Sequence, residues 1–524
     1  MSSTSRKRPA RDDEAPSASP AKIRKTETSS PAPDSDDSAS DSSVDYSEDD
    51  APANVDGMYL DTVNRSALDF DFEQLCSVSL SNTNVYACLV CGKYFQGRGK
   101  QTHAYFHSIN DDHHVFINMQ TLEVYVLPDN YEVTDRSLND IKAAIRPTYS
   151  PQQVARLDSA CSFAHDLNGK KYIPGLVCLN RIKRNDYVNV VVQALAHVAP
   201  IRDALLLLPN LEKQTALTRQ LAGLVRKIWH PRLFKAHVSP HELMQEIVTR
   251  SKNRFRLDHE GDAFEFLAWL LNTLHTDLGG SRKRKSSVVY STFQGELQVT
   301  TTTSSAQTSG PIDGSILETQ TSTAKLPFLA LSLDLPPKPL FTQDDDGDDE
   351  HKGSSSIPQV ALVSLLQRYK GMSTVEFHGG SKQYQLLQLP QYIICHVKRF
   401  TKSGLAIEKN PTVVNFPIHN VPFGELLPLG VKYETERHAT YNLIVNICHD
   451  GNPCAQQTQN QKQHGHDDAA AAAIQQANTS VTYSANEIAQ VEGQYLVYLY
   501  HSADEKWYQM RDLQAEQIMP QMIF

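Results

Sequence analysis

Four side chains in one short stretch have the types and spacing to hold a metal ion. Cys88 and Cys91 stand two residues apart, as in a knuckle that turns two thiolates toward one centre, and His107 and His113 follow downstream. Two sulfurs and two imidazole nitrogens complete a tetrahedral Zn²⁺ site with no position left open, so the ion expected here is structural. His114 is an alternative to His113 as the fourth ligand. The cysteines could instead be core residues and His107 a surface histidine, but four such groups in one segment favour metal.

The elements that must position these residues are short. NVYACLV, HHVFINM and LEVYVL are apolar stretches separated by turn residues, and SLNDIKAAI reads as a helix opened by Ser137. Residues 56–150 therefore form a small α+β module. A connecting helix is expected over 151–171, with Pro151 at its first turn. Helical segments follow Tyr172: DYVNVVVQALAHV, ALTRQLAGLVRKIW, SPHELMQEIVTRSK with Ser239 as its N-cap, and GDAFEFLAWLLNTLHTDL. From Tyr290 strand-like runs dominate, among them FQGELQVTTTT, YQLLQLPQYIICHVKRF and QYLVYLYH. Helices first and strands afterwards make the whole an α+β chain.

The 524 residues carry a net charge of −10, unevenly spread. Two basic clusters, RKRPAR and KIRK, precede an acidic run from Asp34 to Asp50, so residues 1–55 read as a disordered tail with a nuclear localisation signal. Polar stretches at about 342–356 and 453–489 read as disordered insertions. The longest greasy run, ALLLLPNL, is too short to cross a bilayer, and no membrane association is expected. Eight scattered cysteines suit a reducing compartment and exclude a disulfide framework.

CLNRIKRNDYVNVVVQAL resembles the nucleophile box of the ubiquitin-specific proteases, GLxNLGNTCYMNSxLQxL, with Asp186 in place of the cysteine. EGDAFEFL at Glu260, QLPQYIICHVKRF at Gln388, YNLIVNICHDG at Tyr441 and VEGQYLVYLYHSADEKWYQMRDLQ at Val491 resemble the later motifs of that family, in order. The resemblance implies a papain-like fold with a helical thumb and β-rich palm and fingers over 172–524. It also places the degenerate catalytic positions: Asp186 for the nucleophile, Gln494 for the histidine, Arg511 for the first acid with Asp512 as the second, and Arg181 for the asparagine that helps the oxyanion. Acyl transfer of this kind needs a thiolate and a base that returns its proton to the leaving amine, and neither is present. His501 lies at an odd spacing from Gln494, and adjacent Cys448 and His449 point apart on a strand, so none of the three replaces them. No cysteine lies between Cys178 and Cys395, so the fingers have no zinc knuckles of their own.

The earlier module resembles the UBP-type zinc finger, whose pattern selects His113 over His114. A second metal site of that family would fall on Cys76, Ser79, Gln96 and His103; serine and glutamine are poor zinc ligands, so one Zn²⁺ is expected rather than two. Arg98 matches an arginine that in some relatives grips the carboxylate of the ubiquitin tail.

CLVCGKYFQGRG, LPDNYEV, IKRNDY, FKAHVSPHE and DLQAEQIMPQMI together resemble the U4/U6·U5 tri-snRNP-associated protein 2 family. That resemblance implies a nuclear, non-enzymatic pre-mRNA splicing factor supporting tri-snRNP assembly and recruitment, with tri-snRNP proteins as partners. The basic SRKRK loop and N-terminal arm are candidates for snRNA contact, but no RNA-recognition motif accompanies them, so protein partners are favoured. The alternatives are a ubiquitin or ubiquitin-like reader and a divergent deubiquitinase.

Overall fold

In the computed structural model the described residues are 58–306, 317–337, 358–377, 380–403, 406–430, 434, 436–451 and 493–523. The tail and both insertions expected from the sequence lie outside them.

Short β-branched and aromatic runs, each closed by a turn, make the first module a five-stranded antiparallel sheet. Its strands are β1 (Val85–Cys88), β2 (Tyr94–Gln96), β3 (Val115–Asn118), β4 (Val124–Val126) and β5 (Tyr131–Val133), in the order β2-β1-β3-β4-β5. Side chains alternate between two cores because the strand period is two. Val85, Ala87, Val115, Ile117, Val124 and Val126 face Leu138, Ile141 and Ala144 of the segment that ends in helix α2 (Asn139–Ile145). Tyr86, Cys88, Phe116 and Tyr125 face the other way, where helix α1 (His103–Asn110) supplies Ala104. The cap before α2 is Asp135, whose carboxylate accepts the Ser137 N–H at 2.6 Å, so Ser137 sits inside the first turn.

The connecting helix is corrected to a single turn, α3 (Pro151–Val154), held by a reciprocal Ser150–Gln153 capping box. Two features stop it from running on to residue 171. Both carboxylate oxygens of Asp158 are taken by Arg202, each at 2.7 Å. Asp166 accepts the N–H groups of Asn168 and Lys170, folding a turn in which Gly169 has φ +77°. That turn joins β6 (Ala164–His165) to β7 (Lys171–Tyr172).

The thumb consists of α4 (Asp186–Ala196), α5 (Ala199–Leu206), α6 (Ala216–Ile228), α7 (His241–Arg250), α8 (Ala263–Asp277) and α9 (Val288–Phe293). Helix α4 is buried on almost every face, its polar Asp186, Asn189 and Gln193 included. It packs between α8 and the sheet that ends the chain. Helix α7 begins at His241 with Pro240 at the cap position and no side-chain cap hydrogen bond, so Ser239, expected as the cap, lies one residue outside it; its N–H donates to the Asp71 carboxylate at 3.1 Å.

A bridge of β8 (Cys178–Leu179) with β9 (His237–Val238) lies within the thumb. The fingers are a four-stranded sheet in the order β11-β10-β15-β14, from β10 (Gly295–Ala306), β11 (Leu317–Phe328), β14 (Lys370–Phe377) and β15 (Gly380–Gln388). The smaller strands β12 (Leu331–Asp334), β13 (Gln359–Ala361), β16 (Cys395–Lys398), β17 (Phe400–Ser403), β18 (Ala406–Lys409) and β19 (Val413–Asn415) pair two by two around them. The last sheet runs β20-β21-β22-β23, from β20 (Val445–Asp450), β21 (Gln494–His501), β22 (Lys506–Arg511) and β23 (Gln514–Ile518).

The finger module docks on the thumb through an acidic segment. Asp71 accepts Lys227 Nζ at 2.7 Å, both groups being more than four-fifths buried, and Asp69 pairs with Lys235. Lys227→Ala is expected to lower stability by about 1 kcal/mol, since a charge-assisted bond of that exposure is partly screened. Urea melts of the full chain read that shift.

Candidate functional site

The donor atoms of Cys88, Cys91, His107 and His113 all lie within 4.8 Å of one another. Cys88 ends β1, Cys91 closes the tight turn into β2, His107 comes from α1, and His113 from the loop entering β3. Gly92, at φ +75°, completes the knuckle; a Cβ there would stand 2.2 Å from the Ala67 carbonyl oxygen. Cys91 Sγ is 3.4 Å and His113 Nδ1 is 3.0 Å from His107 Nε2. Donors around a tetrahedral Zn²⁺ are separated by roughly 3.3–3.8 Å, so these two separations lie within a few tenths of an ångström of what the ion requires. The Asp111 carboxylate accepts His107 Nδ1–H at 2.5 Å and thereby presents Nε2 to the cluster. Asp111 was legible as the i+4 neighbour of His107 only once α1 is known to be helical. His114 is engaged elsewhere, with Nδ1 against the Leu127 carbonyl at 2.7 Å and Nε2 against Asp112 at 2.8 Å.

Around Cys76 the side chains satisfy one another without an ion. Ser79 Oγ donates to Gln96 Oε1 at 2.9 Å, Gln96 Nε2 donates to Thr83 Oγ1 at 3.3 Å, and the Ser79 N–H donates to Cys76 Sγ at 3.4 Å. Cys76 and His103 belong to no potential metal cluster among the described residues. Ser79→Cys combined with Gln96→Cys is expected to add one bound Zn²⁺ per chain, read by elemental analysis after dialysis. Arg98 is held in place: its guanidinium lies 3.9 Å over the Tyr125 ring, and Nη1 donates to Asn130 Oδ1 at 2.5 Å.

In the protease-like module Asp186 opens α4 and is 4% exposed. Its Oδ2 accepts the Tyr495 N–H at 2.8 Å, while Oδ1 has no protein partner. Tyr495 also receives the Ala263 N–H on its hydroxyl at 3.4 Å, so one β21 residue ties together the starts of α4 and α8. Nothing in the local sequence around Asp186 signals that contact, which spans more than three hundred residues. The space beside Asp186, between Asn189, Gln193, Met510 and Asp512, measures about 20 Å³, room for one water.

Gln494 Nε2 donates to Asp512 Oδ2 at 2.6 Å. The amide thus keeps the bond to the acid that an orienting carboxylate makes with a histidine, but it offers no basic nitrogen. Arg181 donates Nε–H to the Lys183 carbonyl at 3.1 Å and stands 3.9 Å from Asp512. Arg511 pairs with Asp450 at 2.6 Å. The nearby thiols Cys178 and Cys448 are pushed up to about 11, mainly by burial, and remain protonated at neutral pH. Burial likewise lowers His449 to about 4, so it is a neutral ring packed against Tyr495 at 4.9 Å. His501 lies at the far end of β21, bonded to Asp504 at 2.7 Å.

These features define a protease-like fold preceded by a zinc-finger module. Residues 177–523 match the family described as ubiquitin carboxyl-terminal hydrolase, and residues 76–138 match the Zn-finger in ubiquitin-hydrolases and other proteins. The chain belongs to the ubiquitin carboxyl-terminal hydrolase family. It is 41% identical to "Ubiquitin carboxyl-terminal hydrolase 39" of Homo sapiens over 89% of this chain and 77% of that protein. It is 39% identical to "Probable mRNA-splicing protein ubp10" of Schizosaccharomyces pombe over 89% and 86% of the two chains. It is 31% identical to "Pre-mRNA-splicing factor SAD1" of Saccharomyces cerevisiae over 75% and 82%. Among solved structures it resembles an essential yeast splicing factor, with a TM-score of 0.65 and 26% identity over 89% of this chain and 96% of that one. Within the family the chain therefore falls in the splicing-factor branch, with the zinc finger followed by the protease-like domain that the sequence motifs imply.

Proposed function

We propose that this chain is a non-enzymatic pre-mRNA splicing factor, a scaffold that supports assembly of the U4/U6·U5 tri-snRNP and its recruitment to the spliceosome in the nucleus. The observation that carries the reading is the Asp186 carboxylate, bound to the Tyr495 N–H where the family's thiolate would stand. A carboxylate so engaged is a weak nucleophile toward an amide, and Gln494 returns no proton to a leaving amine. Splicing relatives that share most of the chain support the cellular role.

The division that goes with this reading is a finger over 56–150 and an inactive protease-like domain over 172–524. One structural Zn²⁺ is held by Cys88, Cys91, His107 and His113, and the ion pins α1 and the knuckle to the sheet. Arg282, Lys283, Arg284 and Lys285 are exposed and form no ion pair among the described residues, which supports a phosphate contact with snRNA at that loop.

Tagged chain purified from nuclei tests the role. U4, U5 and U6 RNAs are expected to copurify with it, and their absence overturns the assignment. The reader alternative is tested separately, by titrating ubiquitin into the labelled chain and following Arg98. With its guanidinium already stacked and bonded, no shift is expected there.

A further inference from the structure

Outside both sites just described, three side chains from two distant parts of the chain converge. Cys161 Sγ, an imidazole nitrogen of His501 and a carboxylate oxygen of Asp504 all lie within 4.8 Å of one another. We propose that Cys161, His501 and Asp504 form a further site for a Zn²⁺-type divalent cation, one that ties the segment after α3 to the turn between β21 and β22. Sulfur, imidazole and carboxylate are the three donor types this ion takes, and three protein ligands leave the fourth position to water.

The surroundings are those of a built site. His501 is 3% exposed and Asp504 12%, so the donors are withdrawn from bulk water. His501 Nδ1 and Asp504 Oδ1 are 2.7 Å apart, and the Tyr508 hydroxyl donates to Asp504 Oδ2 at 2.6 Å, the outer hydrogen bond that orients a ligating carboxylate. The Trp229 ring lies nearly parallel to His501 at 6.2 Å and closes the inner side. Hydrogen bonds account for His501, Asp504 and Tyr508 without any ion. They do not account for Cys161, whose thiol has no hydrogen-bond partner among the described residues and yet faces the pair. None of the three lines the space beside Asp186, so the site is separate from the lost catalytic cleft.

The test is a Co²⁺ titration of the metal-stripped full chain, read by stoichiometry and by the sulfur-to-cobalt charge-transfer absorption. Two ions per chain are expected for the unaltered protein and one for Cys161→Ala, a change at a half-buried position. Asp504→Asn is expected to weaken the second binding event at least tenfold while the first is unchanged. Equal stoichiometry and equal absorption in the unaltered chain and Cys161→Ala would overturn the proposal. That outcome leaves the splicing assignment standing, because nothing in the assignment uses this site.

Discussion

Chelation of the chain, or Cys91→Ser, is expected to detach α1 from the finger and to expose its amides. The finger has its own apolar core on the α2 side of the sheet, and that core does not involve the four ligands. On the other side, α1 is eight residues long, far too short to be helical without an anchor, and it buries little apolar surface beyond Ala104. Structural zinc in finger peptides contributes about 10–16 kcal/mol, so most of the stability of this face depends on the ion. Hydrogen exchange should show residues 103–110 losing protection on chelation while β3 and β4 keep theirs. Full protection of α1 in metal-free protein would mean that the cluster is an ordinary buried set of polar side chains.

The second large effect is expected at Asp186. Asp186→Ala removes the acceptor of the Tyr495 N–H inside a nearly closed cleft and should cost about 2–3 kcal/mol, the range for losing a charged partner and leaving a donor unsatisfied. Asp186→Asn retains an acceptor oxygen and should cost less. Urea midpoints order the three proteins as unaltered, Asn, then Ala. Asp186→Cys restores the thiol but not the base, since Gln494 remains beside Asp512, and it should label with a ubiquitin suicide probe no faster than an exposed cysteine does. Rapid labelling of that variant would show that the cleft keeps an activating group outside the positions named above.

The residues that were legible in the sequence are those whose meaning is local or ordered. Cys88, Cys91, His107 and His113 stand out by type and spacing, and the structure brings their donor atoms together; the family motifs single out Asp186, Gln494 and Arg511 as candidates. Tertiary contacts decided the rest. Nothing in HAYFHSIN marks the helix carrying His107, since it has no clear apolar stripe; it is positioned by the ligand cluster and by Phe95, whose ring stacks on His107 at 4.1 Å. The helix expected over 151–171 has fair local propensity, yet Arg202 takes Asp158 and a side-chain turn at Asp166 redirects the chain, two competitors that propensity does not count. Ser239 has the residue type of a cap, yet the helix starts one residue further on, behind Pro240. Long-range pairing, as between Asp186 and Tyr495, leaves no periodic trace in a single chain.

The most direct measurement is turnover of a fluorogenic ubiquitin–amide reporter by the purified full-length chain. Release indistinguishable from the protein-free blank is expected at every protein concentration. Release that scales with the chain and disappears in Asp186→Ala would contradict the non-enzymatic assignment.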